Sequence, residues 1–123
     1  AASSLSEGLR LARDGNQWDL ARGLEVVVGM AAAVGKLELA LHVAGAASAL
    51  RDRMGTPPWP SERATLDAAI ACARQGLSEE SGDVAWMRGW TSQLDQTLAL
   101  AQDFLDSPTA QPPRSLSAAS SGP

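Results

Sequence analysis

The sequence has no tyrosine, one phenylalanine, one cysteine and one histidine, and its only lysine is Lys36. Each scarcity removes a class of function. A lone Cys72 excludes an internal disulfide and a thiolate metal cluster. A lone His42 leaves no second imidazole for a zinc site, and no Ser/His/Asp arrangement can be built around it from spacing. Phosphate-cradling glycine loops are missing too, because Gly29 and Gly35 are too far apart and lie in a helical pattern. No basic-then-apolar leader opens the chain, and no apolar run reaches the roughly 18 residues of a spanning helix. Its nearest approach, Val26 to Val34, is short and contains Gly29 and Met30. A cytoplasmic setting without a membrane partner is therefore expected. Sparse β-branched residues and missing tyrosine argue against a sheet.

What is present is the composition of close-packed helices. Alanine and leucine dominate a chain that is 45% hydrophobic, and its 123 residues suffice for one small core. A net charge of −4 supplies no basic face for a nucleic-acid backbone, so direct nucleic-acid contact by this segment is not expected.

Apolar residues recur at helical spacing almost throughout. Leu5, Leu9 and Ala12 form a short opening stripe, with Ser4 and Glu7 placed as a capping box, and Asp14-Gly15-Asn16 ends it. From Gln17 to Val34 the apolar face includes Trp18, Ala21, Leu24, Val27, Val28 and Ala31, and the polar face carries Asp19, Arg22 and Glu25. Gly35 suits the left-handed position after a helix. Lys36 to Met54 carries a stripe of Leu37, Ala40, Leu41, Ala44, Ala47 and Leu50, with Glu38, Ser48, Arg51 and Asp52 off it. Two long helices joined at one glycine must fold back as an antiparallel hairpin, and Ala44 and Ala47 are small enough to let them approach. Gly55-Thr56-Pro57-Pro58-Trp59-Pro60 is a stiff loop. Next come a helix burying Leu66, Ala69, Ile70, Ala73 and Leu77, and a short one capped by Ser78 that holds Trp86 and ends near Gly89. A last helix runs from Leu94 to Leu105. Residues 1–106 thus read as an all-α domain of antiparallel helix hairpins, and 107–123 as a Pro/Ser/Ala-rich linker.

The stretches GAASALRDRMG (Gly45 to Gly55), PSER (Pro60 to Arg63), LSEESGDVAWMRGW (Leu77 to Trp90) and LDQTLALA (Leu94 to Ala101) carry a resemblance. Together they resemble the C-terminal tetratricopeptide-like helical region of large, ATPase-containing LuxR-type bacterial transcriptional regulators, with close variants in cyclase-fused regulators. The spacing agrees from Ala40 to Ala101, about half of the chain. Two departures stand out: Ser81-Gly82-Asp83 replaces an Ala- and Phe-rich turn, which leaves the short helix poorly anchored at Gly82, and Trp90 replaces a polar residue. The resemblance implies the end of a helical solenoid with its cap, between an upstream ATPase and repeat region and a downstream helix-turn-helix. It places Gly122-Pro123 where such linkers meet the DNA-binding module. ATP belongs to a domain outside this segment, and no cofactor is expected within it.

Four tryptophans are the compositional oddity. Trp18 and Trp86 read as core, Trp59 as a lid over the helix ends, and Trp90 as the indole left for a surface. Trp59, Trp90 and the groove-lining or solvated His42 are the candidate partner or ligand surface. Cys72 reads as a small buried residue, and Glu79-Glu80 as charge favouring a helix N-terminus rather than a catalytic pair. The function expected is non-enzymatic: a regulatory and protein-interaction segment acting in signal transduction. Its partners would be intramolecular neighbours, a regulatory protein or a second copy in a homodimer. The alternative is a helical domain that senses a small-molecule inducer held between the hairpin and the Trp59 loop. From the acidic balance, the isolated chain should show no salt-dependent duplex DNA binding at physiological ionic strength. A fluorescence-anisotropy titration checks this, and micromolar binding that weakens steeply with salt contradicts it.

Overall fold

A computed structural model describes residues 17–107, and side chains from Asp19 onward. The opening stripe of Leu5, Leu9 and Ala12, the side chain of Trp18 and the linker beyond Ser107 lie outside the described residues. Within them the protein is all-helical: α1 (Gln17–Ala33), α2 (Leu37–Met54), α3 (Pro60–Gln75), α4 (Glu79–Thr91) and α5 (Leu94–Asp106).

The helix ends follow from local chemistry. Gly35 has φ +86° after α1, where its N–H donates to Ala32 O and the Lys36 N–H to Ala31 O, at 3.2 and 2.9 Å. The same double bond recurs after α2. There Gly55 has φ +69°, and the Gly55 and Thr56 N–H groups reach the Asp52 and Arg51 carbonyls. Both are Schellman endings, which satisfy carbonyls that a helix leaves without partners. Pro60 opens α3, where the missing N–H costs nothing. Ser78 caps α4 as expected, its Oγ accepting from the Ser81 N–H at 3.1 Å.

The connection Val34-Gly35-Lys36 returns α2 along α1 as the hairpin that the glycine demands. α3 lies against α1 and α2, α4 packs chiefly on α2, and α5 turns back onto α2 and α1. α2 is therefore central. Ala44 and Ala47 are fully buried as the stripe predicts, and Val43, Gly45, Ala46 and Ala49, which do not belong to the stripe, are buried as well. A helix this rich in alanine and glycine can be surrounded without overcrowding.

The α2–α4 crossing is where small size matters most. A Cβ on Gly45 would run into the Trp86 carbonyl oxygen and come within 3.0 Å of the Trp90 nitrogen. A Cβ on Gly89 would run into the His42 carbonyl oxygen and come within 3.0 Å of the Ala46 nitrogen. The two backbones touch, at the short end of the roughly 8–10 Å interaxial range. Gly89 is therefore a crossing point, and α4 ends close beyond it, at Thr91. Gly82 is also buried, its missing Cβ lying 3.4 Å from Leu41 Cδ1, so it seats α4 rather than loosening it. Cys72 is exposed, contrary to its reading as core, because α3 turns only a narrow face inward and buries only Leu66 and Ala73.

Gly29 is the control for this crossing, since a Cβ there would meet nothing within 4 Å. Gly29→Ala should stabilise the fold by about 0.5–1 kcal/mol through helix propensity alone. Gly89→Ala should cost on the order of 1–3 kcal/mol by forcing α2 and α4 apart. Paired thermal melts read the difference, and shifts of the same sign would contradict the crossing.

Candidate functional site

Two cavities flank α3. One, about 630 Å³, is a groove between α1 and α3 whose walls are mostly apolar: Val26, Gly29, Met30, Ala33, Leu66 and Ala69. The other, about 500 Å³, lies under the Pro57-Pro58 turn and is bounded by the end of α2, by α3 and by Trp86 and Trp90 of α4.

Between them stands an ion pair. Arg51 donates through Nε to Glu25 Oε2 and through Nη2 to Oε1, both at 3.0 Å, and Arg51 Nη1 reaches the Thr56 carbonyl at 3.4 Å. The two side chains are only 6% and 9% exposed. Helical spacing puts both on polar faces; the structure instead turns them toward each other across the hairpin. Glu25 lines both cavities, and Arg51 the one beneath the prolines. A charge inside the apolar run Leu24 to Val28 was the sequence signal for it, although its partner 26 positions on could not be read from spacing.

The three residues of the expected surface have different surroundings. Trp90 is 38% exposed and lines the proline-covered cavity. Trp59 is 65% exposed just ahead of α3, so it is no lid over the helix ends; Pro58 and Pro60 hold it extended and outward. Trp86 is half-buried against the core, with the Arg74 guanidinium 5.9 Å from its ring centroid.

His42 sits at the α2–α4–α5 junction. Its Nε2 is 3.4 Å from Thr97 Oγ1, which is 2.9 Å from Ser92 Oγ, and Ser92 Oγ donates to the Gly89 carbonyl at 3.1 Å. Thr97 is fully buried. Burial, and secondarily the charge of Arg88, lowers the His42 pKa from its ordinary 6.5. Among the described residues no group of three or more His, Cys, Asp or Glu is placed to hold a metal ion, and no helix is long and apolar enough to cross a membrane.

Three curated relatives share 29% identity with the chain over 79 residues. They are named as candidate HTH-type transcriptional regulators, from Mycobacterium bovis and from two strains of Mycobacterium tuberculosis. The match takes in 64% of this chain and 9% of each relative, so the chain corresponds to a small part of much longer proteins. No family model matches, and no solved structure does.

The Glu25–Arg51 pair should behave as a buried one. Glu25→Gln removes the carboxylate from a desolvated guanidinium and should cost on the order of 3–5 kcal/mol. Arg22→Gln, which breaks the more exposed 3.0 Å pair with Glu62, should cost under about 1 kcal/mol. Urea titrations of both variants check the ranking.

Proposed function

We propose that this chain is a non-catalytic regulatory and interaction segment of a larger transcriptional regulator. The observation that carries the reading is the 79-residue match to proteins named as HTH-type regulators, in which the matching part is 9% of the length. A stretch that small within a long regulator is suited to connecting modules. In the finer form of the proposal it is the tetratricopeptide-like end of a LuxR-type regulator in the cytoplasm. It would link an upstream ATPase and repeat region to a downstream DNA-binding domain, with protein as its direct partner.

The physical support lies in how the helices share neighbours. α1 and α3 pack on α2, and α2 packs on α4 along a backbone-to-backbone seam that has no slack. A displacement of the α1–α3 layer by an upstream module is passed to α4 and α5 with little compliance, because close-packed interiors respond by shifting rather than compressing. This chain would then change the relative placement of the modules on either side of it.

The test uses the complete reading frame that contains this chain. A helix-turn-helix encoded after Pro123 is expected, and a stop codon there overturns the finer reading. In that full protein, Gly89→Ala should reduce signal-dependent activation of a reporter promoter several-fold while leaving the affinity for promoter DNA unchanged. Equal loss of both, or of neither, would contradict a coupling role.

A further inference from the structure

The cavity beside the Pro57-Pro58 turn combines two features, one shared with the core and one that the fold does not use. The first is a pair of indoles. Trp86 and Trp90, one turn apart on α4, line a space of about 500 Å³, within the roughly 300–1,000 Å³ of small-molecule pockets. Trp90 keeps 38% of its surface exposed there, although it could have been buried or replaced by a polar residue. Pro57 and Pro58 form the opposite rim, and their fixed φ makes that rim stiff.

The second feature is a surplus carboxylate. Of the charged residues lining the cavity, Glu25 is matched by Arg51 and Asp67 by Arg63. Asp52 is left over: it is exposed and forms no salt bridge among the described residues. It also stands in the last turn of α2, where the helix dipole already concentrates partial negative charge and an acid is unfavourable. The fold gains nothing from an acid there, whereas a cationic or proton-donating ligand would.

We propose that this cavity binds a small aromatic amine, its ring held between Trp86, Trp90 and the proline rim and its amino group on Asp52. Indole faces attract both flat rings and cations, and a neighbouring carboxylate selects the cationic member of an otherwise similar pair. Anionic aromatics are disfavoured, because the wall carries the carboxylates of Glu25, Asp52 and Asp67 against the guanidiniums of Arg51 and Arg63. The site is independent of the coupling role, since the chain could bind such a ligand without transmitting anything, or transmit without binding it.

Phenethylamine and phenylacetate, nearly isosteric and opposite in charge, make the test. Both are titrated into the ¹⁵N-labelled chain, and the indole N–H signals are followed after assignment with single Trp→Phe variants. Phenethylamine should shift the Trp86 and Trp90 signals saturably in the millimolar range and leave Trp59 unmoved. Phenylacetate should bind about tenfold more weakly or worse, a difference of about 1.4 kcal/mol. Asp52→Asn, on an exposed position that should fold normally, should erase that preference, and Trp90→Ala should weaken phenethylamine binding about tenfold. Absence of a saturable phenethylamine shift, equal binding of the two probes, or a preference that survives Asp52→Asn would each overturn the proposal. Because only the isolated chain and its ligand are involved, failure here leaves the transcriptional reading standing, and failure of the reporter experiment leaves this site standing.

Discussion

Where Gly45 and Gly89 meet, two helices touch backbone to backbone, and the placement of nearly everything else depends on that contact. It draws α4 onto α2 until the Trp86 and His42 carbonyls occupy the space that side chains would take. The short link of Ser92 and Gln93 then brings α5 back over the same face, where Thr97 and His42 meet. α1 and α3 cover the remaining sides. A helix with small residues at its crossing points becomes the best-buried element of the fold because it is thin enough there to be enclosed.

This also decides how polar groups are accommodated. Arg51 extends from the enclosed helix and must be neutralised where it lies, and Glu25 from the hairpin partner reaches it with both carboxylate oxygens. A bidentate pair fixes direction as well as charge, so it sets the register of α1 on α2 along with the Schellman turn at Gly35. Apolar packing among alanines is poor at specifying register, since one small side chain substitutes easily for another. The ion pair supplies the directionality that such a surface lacks.

Much of the architecture was legible from the chain. Gly35 after a long apolar stripe, Ser78 ahead of two acids and three prolines in a row of six residues each have a single local meaning, and the helices begin and end close to where those signals put them. Reading faces by hydrophobicity failed at small residues. Gly45, Ala46 and Ala49 count as weakly apolar or neutral, yet their burial follows from the space they leave rather than the surface they offer. Charged residues misled in the complementary way: Glu25 and Arg51 each belong on a wet face by themselves, and only the pair can be buried. Cys72 was misplaced because the inward face of α3 is narrower than its sequence suggests, and Trp59 because the flanking prolines hold it extended. Of the expected surface, Trp90 lines a cavity, His42 lies 3.4 Å from Thr97 and Trp59 is exposed, surroundings that follow from the fold and from no local pattern.

The narrow inward face of α3 has a consequence for the hierarchy of stability within the molecule. Its two buried side chains, Leu66 and Ala73, are few for a helix of 16 residues, and it is flanked by cavities on both sides. Elements with little buried apolar surface open at a lower free energy than the structure as a whole. α3, between the proline turn and Gly76, is thus held by fewer buried apolar side chains than α1, α2 or α5. Glu25 and Leu66 line both cavities, so a side chain that shifts at either position reshapes the two grooves together.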